Sequence, residues 1–468
     1  MREEDLLHVE SFRDRISSVK ADGSRKWVYA LKPNGKWTNY RKIIAYFYLS
    51  IFFVMPFIKV NGQPFMLINV PDGKFILFSK IFWPQDFFIF AIAMITFIVF
   101  IVLFTVVFGR LFCGWVCPQT VFMEFVFRPI EWLIEGTPNQ QRKLNEGAWT
   151  NQKIFKKTLK HLLYLLISFI ISHTFLSYVL GVDEVIKIMK EPVGDHLGLL
   201  SGLIVFTLFF YAVFAFVRDI VCTTVCPYGR LQGVMFDKDT IQIAYDYNRG
   251  EPRGKYKKGV ERVEGDCINC FKCVQVCPTG IDIRDGLQME CVGCTACIDA
   301  CNEVMEAVHF EKGLIRYASE NEISKGTKFH FNSRMKAYTG LLLVLMVFMG
   351  ILIGTRKTVD TFISRVKGQL YQEVGNDKIS NLFDAKIINK TKNDMPLTIK
   401  LENMEGTVRL IGADHINLKK EAINEFTFFL DIAKTAITER STKIKIGIYQ
   451  GDEKIQTVKT TFLGPFKQ

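Results

Sequence analysis

The sequence predicts a multi-domain membrane protein: a five-helix α transmembrane bundle, a cysteine-rich α+β insert between the fourth and fifth helices, and a C-terminal immunoglobulin-like β-sandwich. Three observations predict it. Apolar residues gather into five blocks, 43–58, 86–108, 161–180, 197–217 and 337–355, each close to the roughly 20 residues that cross a bilayer as a helix. Eight of the twelve cysteines form two ladders between the fourth and fifth blocks. Beyond residue 362 the apolar period changes from that of a helix to two.

Residues 1–42 are polar and charged and lack the apolar core of a cleavable signal, so the first block is expected to act as its own insertion signal. Orientation follows from the basic residues. Segments 1–42, 109–160 and 218–336 carry 10, 8 and 17 Lys and Arg, against 3 and 2 in 59–85 and 181–196. Basic loops stay cytoplasmic, so the N-terminus and the insert are expected inside and residues 356–468 in the periplasm. The net charge of +12 is then a topological bias and not a nucleic-acid surface.

The insert, 218–336, is entered through "NRGEPRGKYKKG" at 248–259, whose glycines, proline and lysines predict an ordered turn or a tether. After the fifth block, "TIKLEN" puts Leu397, Ile399 and Leu401 on one face of a strand. "FTFFLDI" does so with Phe426, Phe428, Leu430 and Ile432, and "KIKIGIYQ" with Ile444, Ile446 and Ile448. Strict alternation means strands with one buried side, and "QGDEK" reads as a hairpin turn, hence a sandwich over 362–468. It contains no cysteine, and no chemistry is expected of it.

The ladders carry the strongest signal. "CINCFKCVQVCP" supplies Cys267, Cys270, Cys273 and Cys277, and "CVGCTACIDACN" supplies Cys291, Cys294, Cys297 and Cys301. Each is C-x2-C-x2-C-x3-C, the spacing of a ferredoxin-like domain with two [4Fe-4S] clusters. Three cysteines two residues apart wrap one corner of a cube, and the fourth reaches the other cube. One cluster would take Cys267, Cys270, Cys273 and Cys301, the other Cys291, Cys294, Cys297 and Cys277. Disulfides are disfavoured on a reducing inner face, and zinc has no use for this ladder. Asn302 stands where proline would follow the second motif, which puts the local turn at Cys301 in question. Two adjacent cubes relay single electrons.

The remaining cysteines repeat. "GRLFCGWVCPQT" holds Cys113 and Cys117 and "DIVCTTVCPYGR" holds Cys222 and Cys226, each pair about five residues past an apolar block and followed by proline, with 222 − 113 = 226 − 117 = 109. The recurrence suggests a duplicated two-helix unit. Proline favours the first turn of a helix, so Cys117 and Cys226 are expected at helix N-termini, where the dipole favours thiolate. Three readings stand beside one another: cysteines packed as small apolar residues, a dithiol/disulfide switch, and a thiolate site for copper, since soft sulfur selects Cu(I). Met123 and Met235 could add thioether ligands but fit helix packing better. His173, inside the third block, is suggestive but has no histidine partner in the other blocks, and His161 and His196 fit block ends. Arg110, Arg218 and Asp219 read as charge anchors.

The two C-x3-C-P units, "YDYNRGEPRG", the two-cluster insert, the last span and the immunoglobulin-like tail together resemble the cytochrome c oxidase accessory protein family, CcoG/FixG/RdxA, over roughly 40–468. The resemblance implies a multi-pass protein of the bacterial inner membrane. It implies an oxidoreductase that reduces Cu(II) to Cu(I) for assembly of cbb3-type oxidase, with the oxidase or its copper-assembly factors as partners and a cytoplasmic electron donor left unnamed. Carried over, the eight ladder cysteines ligate two [4Fe-4S] clusters, and Cys113, Cys117, Cys222 and Cys226 form the copper-handling catalytic site. C-x3-C-P units also occur in membrane polyferredoxins of the nitrous-oxide and periplasmic nitrate reductase systems. Electron exchange with the quinone pool, and Cu(I) chaperoning without reduction, are therefore the alternatives. A homodimer pairing two redox sites would be unsurprising.

Overall fold

The computed structural model describes residues 25–465 except 61, 70–72, 78–79, 83–85, 258, 260–262, 357, 367, 369, 376, 392, 413–414, 421 and 438. The chain divides into two compact units, residues 1–349 and 350–468.

Among the described residues of the chain, five helices are long and apolar enough to cross a membrane: Lys36–Phe57, Phe87–Phe108, Asn151–Leu180, Gly194–Val217 and Ser333–Gly354. They are called spans one to five here. Spans one and three begin seven and ten residues before their apolar blocks, because each polar end is satisfied locally. Asp299 accepts hydrogen bonds from the backbone N–H groups of Trp37 and Thr38 at 3.1 and 2.7 Å and from Thr38 Oγ1 at 2.7 Å, capping span one. At the start of span three, Thr150 caps Lys153, and Lys157 and Lys160 pair with Glu135 at 2.8 and 2.9 Å.

After span two the chain runs as the short helix Leu111–Trp115 and then as Pro118–Ile134, helical throughout with a π turn at Met123–Phe127. Phe122 and Phe127 of this segment pack with Tyr164 of span three, Phe214 of span four and Ala45 of span one. The Phe127 and Phe214 rings stack at 4.6 Å. Span two buries only Thr96 and its last turn, and span five only Met335, so most of their apolar surface faces outward, as lipid requires.

The insert is built on a two-stranded antiparallel sheet, Gln242–Tyr245 with Ile315–Ala318, and on the helices Lys272–Gln275 and Ala296–Ala307. It is not a tethered module. Ile241 N donates to Val107 O at 3.0 Å, Leu31 N to Gln275 O at 2.9 Å, and Trp115 Nε1 to Tyr317 Oη at 3.1 Å. The glycine-rich entry is ordered: Gly254 N donates to Cys267 O and Gly265 N to Pro252 O.

The C-terminal unit is a sandwich of two antiparallel sheets. One runs Gly406–Leu410, Ile423–Ala433, Lys378–Asn389 and Val359–Arg365, with Gln372–Val374 also on Lys378–Asn389. The other runs Ile416–Leu418, Met395–Leu401, Ser441–Gln450 and Glu453–Leu463. The alternating residues Leu397, Ile399, Phe428, Leu430, Ile432, Ile444, Ile446 and Ile448 share one core between the sheets, and Leu401 and Phe426 pack at its edge. Gln450 pairs with Glu453 across a two-residue turn in which Gly451 has φ 59°, a left-handed conformation that suits glycine.

Candidate metal centres

Each ladder curls because two of its residues adopt left-handed conformations. In the first, Asn269 and Phe271 have φ of 55° and 59°; in the second, Gly293 and Thr295 have φ of 70° and 59°. They flank Cys270 and Cys294 alike, and such turns point successive backbone N–H groups into a concavity that favours anionic sulfur. Arg284 braces the first loop. It pairs with Asp282, donates to Asn269 Oδ1 at 2.7 Å, and lies over the Phe271 ring at 4.2 Å.

The loops enclose two apolar cavities. Cys267, Cys270, Cys273 and Cys301 line one, with Tyr245, Met305 and Leu314 among the walls. Cys277, Cys291, Cys294 and Cys297 line the other, with Ile243, Ile281 and Ile283. The fourth cysteine of each ladder thus crosses to the other's cavity, and Cys273 also borders the second. The donor sets and apolar walls fit two iron–sulfur cubes. Asn302 sits inside the helix Ala296–Ala307, which continues past Cys301, and its Oδ1 accepts from Gly313 N at 2.9 Å. A proline belongs after Cys277, where the chain leaves a helix, and has no place after Cys301.

Burial pushes the Cys273, Cys294 and Cys301 thiols up to about 12 and Cys291 to about 11. The metal-free chain therefore holds thiols, and metal insertion must displace their protons. Cys270 is the one exposed cysteine among the described residues.

The C-x3-C-P units repeat in backbone as well as in sequence. Span two ends at Gly109 (φ 55°, ψ −128°) and span four at Arg218 (φ 59°, ψ −128°), again 109 residues apart (218 − 109 = 109). Cys117 and Cys226 each cap a helix that opens with proline, Pro118–Phe122 and Pro227–Met235. The units interlock. Cys113 Sγ donates to Gln232 Oε1 at 3.2 Å, Gln119 Nε2 to Arg218 O at 3.2 Å, and the Arg110 guanidinium to Gly229 O.

All four thiols share one neighbourhood, since Cys113 feels the charges of Cys117 and Cys226, and Cys222 those of Cys113, Cys117 and Cys226. The thiolate bias expected at Cys117 is reversed. Burial pushes Cys113 up to about 12, and it raises Cys117 despite the opposing amides of Gln119 and Thr120. The dipole of a one-turn helix is the smaller effect where water is excluded. Among the described residues no three Cys, His, Asp or Glu side chains converge tightly enough for a single ion.

This neighbourhood abuts the second ladder. Cys113 and Cys222 pack on the apolar group containing Val292, Cys294 and Ala296. Backbones touch there: a Cβ on Gly114 would lie 2.4 Å from Gly293 O and 2.8 Å from Val292 O.

A family model described as a 4Fe-4S dicluster domain matches residues 217–320, and one described as a 4Fe-4S binding domain matches 90–135. The model for the IG-like fold at the C-terminus of FixG matches residues 349–465. RdxA of Cereibacter sphaeroides is 31% identical over 372 residues, 76% of this chain and 78% of RdxA. RdxB of the same organism is 30% identical over 422 residues, 83% of this chain and 87% of RdxB. The chain belongs to the FixG/RdxA family. FixG of Rhizobium meliloti is 33% identical, over 63% of this chain and 57% of FixG. A FixG-related protein from Vibrio parahaemolyticus, solved by crystallography, aligns over 24% of this chain and all of its own, at 17% identity and a TM-score of 0.21. Family membership and the cluster domains make the protein an iron–sulfur electron-transfer oxidoreductase of the membrane.

The other candidates lie apart. His173 Nδ1 bonds its own helix at Phe169 O, His161 bonds Tyr211 Oη at 2.8 Å, and His196 bonds Glu191. Met123 packs with Phe127 and Phe214, and Met235 with Leu103 and Val106. Arg218 and Asp219 are more than charge anchors. Arg218 pairs with Glu131, and Asp219 with Arg128, which also holds Glu124 at 2.6 Å, in a network that is buried except at the half-buried Asp219. Sequence reasoning missed this network and Asp299. The only signal was charge on an otherwise apolar helix, as at Glu124, Arg128 and Glu131.

Proposed function

We propose that the protein reduces Cu(II) to Cu(I) for assembly of a cbb3-type oxidase, with Cys113, Cys117, Cys222 and Cys226 as the copper-handling site. The observation that carries this reading is the backbone contact of Gly114 with Gly293, which joins that thiol neighbourhood to the second ladder without an intervening layer. The proposed ligands are Cys267, Cys270, Cys273 and Cys301 for one [4Fe-4S] cluster and Cys291, Cys294, Cys297 and Cys277 for the other. The clusters, when bound, supply one-electron carriers.

The chain's own residues do the rest. Left-handed Asn269, Phe271, Gly293 and Thr295 aim the thiols, and the apolar walls exclude water. Cys270, exposed, marks the entry side for a cytoplasmic donor. Cu(II) takes up one electron and becomes Cu(I), and soft sulfur favours that product. The buried thiols give up protons as copper binds, so copper uptake strengthens as pH rises. The basic bias of 1–42, 109–160 and 218–336 supports an inner-membrane topology with these segments in the cytoplasm and the sandwich in the periplasm, within reach of the oxidase or its copper factors.

The test replaces Cys113, Cys117, Cys222 and Cys226 by Ser together. The iron–sulfur EPR signal should persist, while reduction of Cu(II) by the chemically reduced protein should cease. A normal rate refutes the assignment. Copper bound by the wild type and never reduced establishes chaperoning instead, and quinol oxidation that survives the four substitutions establishes the quinone reading.

A further inference from the structure

Outside the redox site, a cavity of about 420 Å³ opens between the polar end of span one and the helical segment Pro118–Ile134. Three cations, Lys32, Arg41 and Lys42, face it, together with the aromatic rings of Phe125 and Trp132. Its one carboxylate, Glu124, is held by Arg128 at 2.6 Å, so the cavity carries uncompensated positive charge. Arg41 is the decisive residue. It is 1% exposed, its Nε donates to Gly114 O at 2.9 Å, its guanidinium lies over Phe125 at 5.2 Å, and its Nη2 has no hydrogen-bond partner among the described residues. A buried guanidinium nitrogen without an acceptor is costly, and a planar donor of this kind suits phosphate oxygens. The rim is apolar and open, formed by Tyr46 and by Leu133, which is 83% exposed. Uncharged sequence begins at residue 43, so the cavity sits where span one leaves water for lipid.

We infer that this cavity binds a phosphate group at the membrane edge: Arg41, Lys32 and Lys42 take the phosphate, the aromatic rings take the glycerol, and acyl chains leave past Tyr46 and Leu133. The shared chemistry is that of a phosphate anion, as the headgroup of an anionic phospholipid or as free phosphate. A neutral quinone would leave the three cations uncompensated. Because Arg41 also holds the Gly114 carbonyl, occupancy steadies the residue at which the thiol neighbourhood meets the second ladder.

The experiment uses the full-length, delipidated, iron-loaded protein and native mass spectrometry, with a headgroup-photoactivatable phosphatidylglycerol to locate binding. Wild type should retain one phosphatidylglycerol at least tenfold more tightly than phosphatidylcholine of the same chains, with crosslinks in residues 129–133. Lys32→Gln with Lys42→Gln, both at the cavity mouth, should bring that retention down to the phosphatidylcholine level with iron content unchanged, and Arg41→Lys should weaken it in part. Inorganic phosphate that binds alone and displaces the lipid identifies free phosphate as the occupant, and failure to displace identifies the lipid. Equal retention of the two lipids, unchanged retention in the double variant, or displacement by a short-chain quinone in place of phosphate overturns the inference.

Discussion

Gly114→Ala tests the contact on which the proposed electron route to copper depends. An ideal Cβ at 114 meets Gly293 O at 2.4 Å, Gly293 C at 2.6 Å and Val292 O at 2.8 Å, all backbone atoms that no rotamer change can move. Ordinary contact begins near 3.4 Å, so the overlap is 3.4 − 2.4 = 1.0 Å. Overpacking of this kind costs about 1–3 kcal/mol. Gly114 lies in the helix Leu111–Trp115, where alanine regains about 0.5–1 kcal/mol. The net destabilisation, about 0–2.5 kcal/mol, leaves the protein folded, since stabilities run at about 5–15 kcal/mol. The segment carrying Cys113 must then back away from the second ladder. The assay adds Cu(II) to the reduced protein in a stopped-flow instrument and follows recovery of the cluster absorbance as the clusters are re-oxidised, with iron content as the control. The expected result is wild-type iron with several-fold slower transfer to copper. Wild-type transfer at wild-type iron would refute the contact as the route.

Arg128→Ala strands buried Glu124 and leaves Asp219 unpaired, and removal of one partner from a buried ion network costs about 3–5 kcal/mol, so folded protein should fall sharply in membrane extracts while Arg128→Lys retains part of it. Asp299→Ala removes the acceptor of three hydrogen bonds that cap span one, at about 1–3 kcal/mol for a buried group left unsatisfied, and should lower the thermal midpoint of cluster loss, with Asp299→Asn intermediate. Burial alone would raise the Asp282 carboxyl, but hydrogen bonds and charge from Arg284 outweigh it and hold the group below its ordinary value. A depressed carboxyl contributes stability that is present above its unfolded pKa and is lost as pH falls through the folded one. Cluster absorbance in an acid titration should therefore fail at higher pH in Arg284→Gln than in the wild type.

Much was legible in the residues themselves. Span existence follows from runs of apolar residues, because no other backbone arrangement in lipid satisfies so long a stretch. The presence of 4Fe-4S binding domains follows from cysteine spacing, because a rigid cluster sets the distance its loop must cover. The sandwich core follows from period two, because one face of each strand is buried. The duplication was visible as an offset of 109, and Gly109 and Arg218 repeat it in backbone angles.

Tertiary structure alone decided what lies next to what. Asp299, which no motif singled out, caps a helix more than 250 residues earlier in the chain. Arg218 and Asp219, read as anchors, complete a network with Glu124, Arg128 and Glu131. Cys117, read as a helix-terminal thiolate, is buried enough to be a thiol. Local sequence carries periodicity and spacing, which are short-range quantities. Burial, charge pairing and the meeting of Gly114 with Gly293 depend on segments far apart in the chain, and only packing brings them into contact.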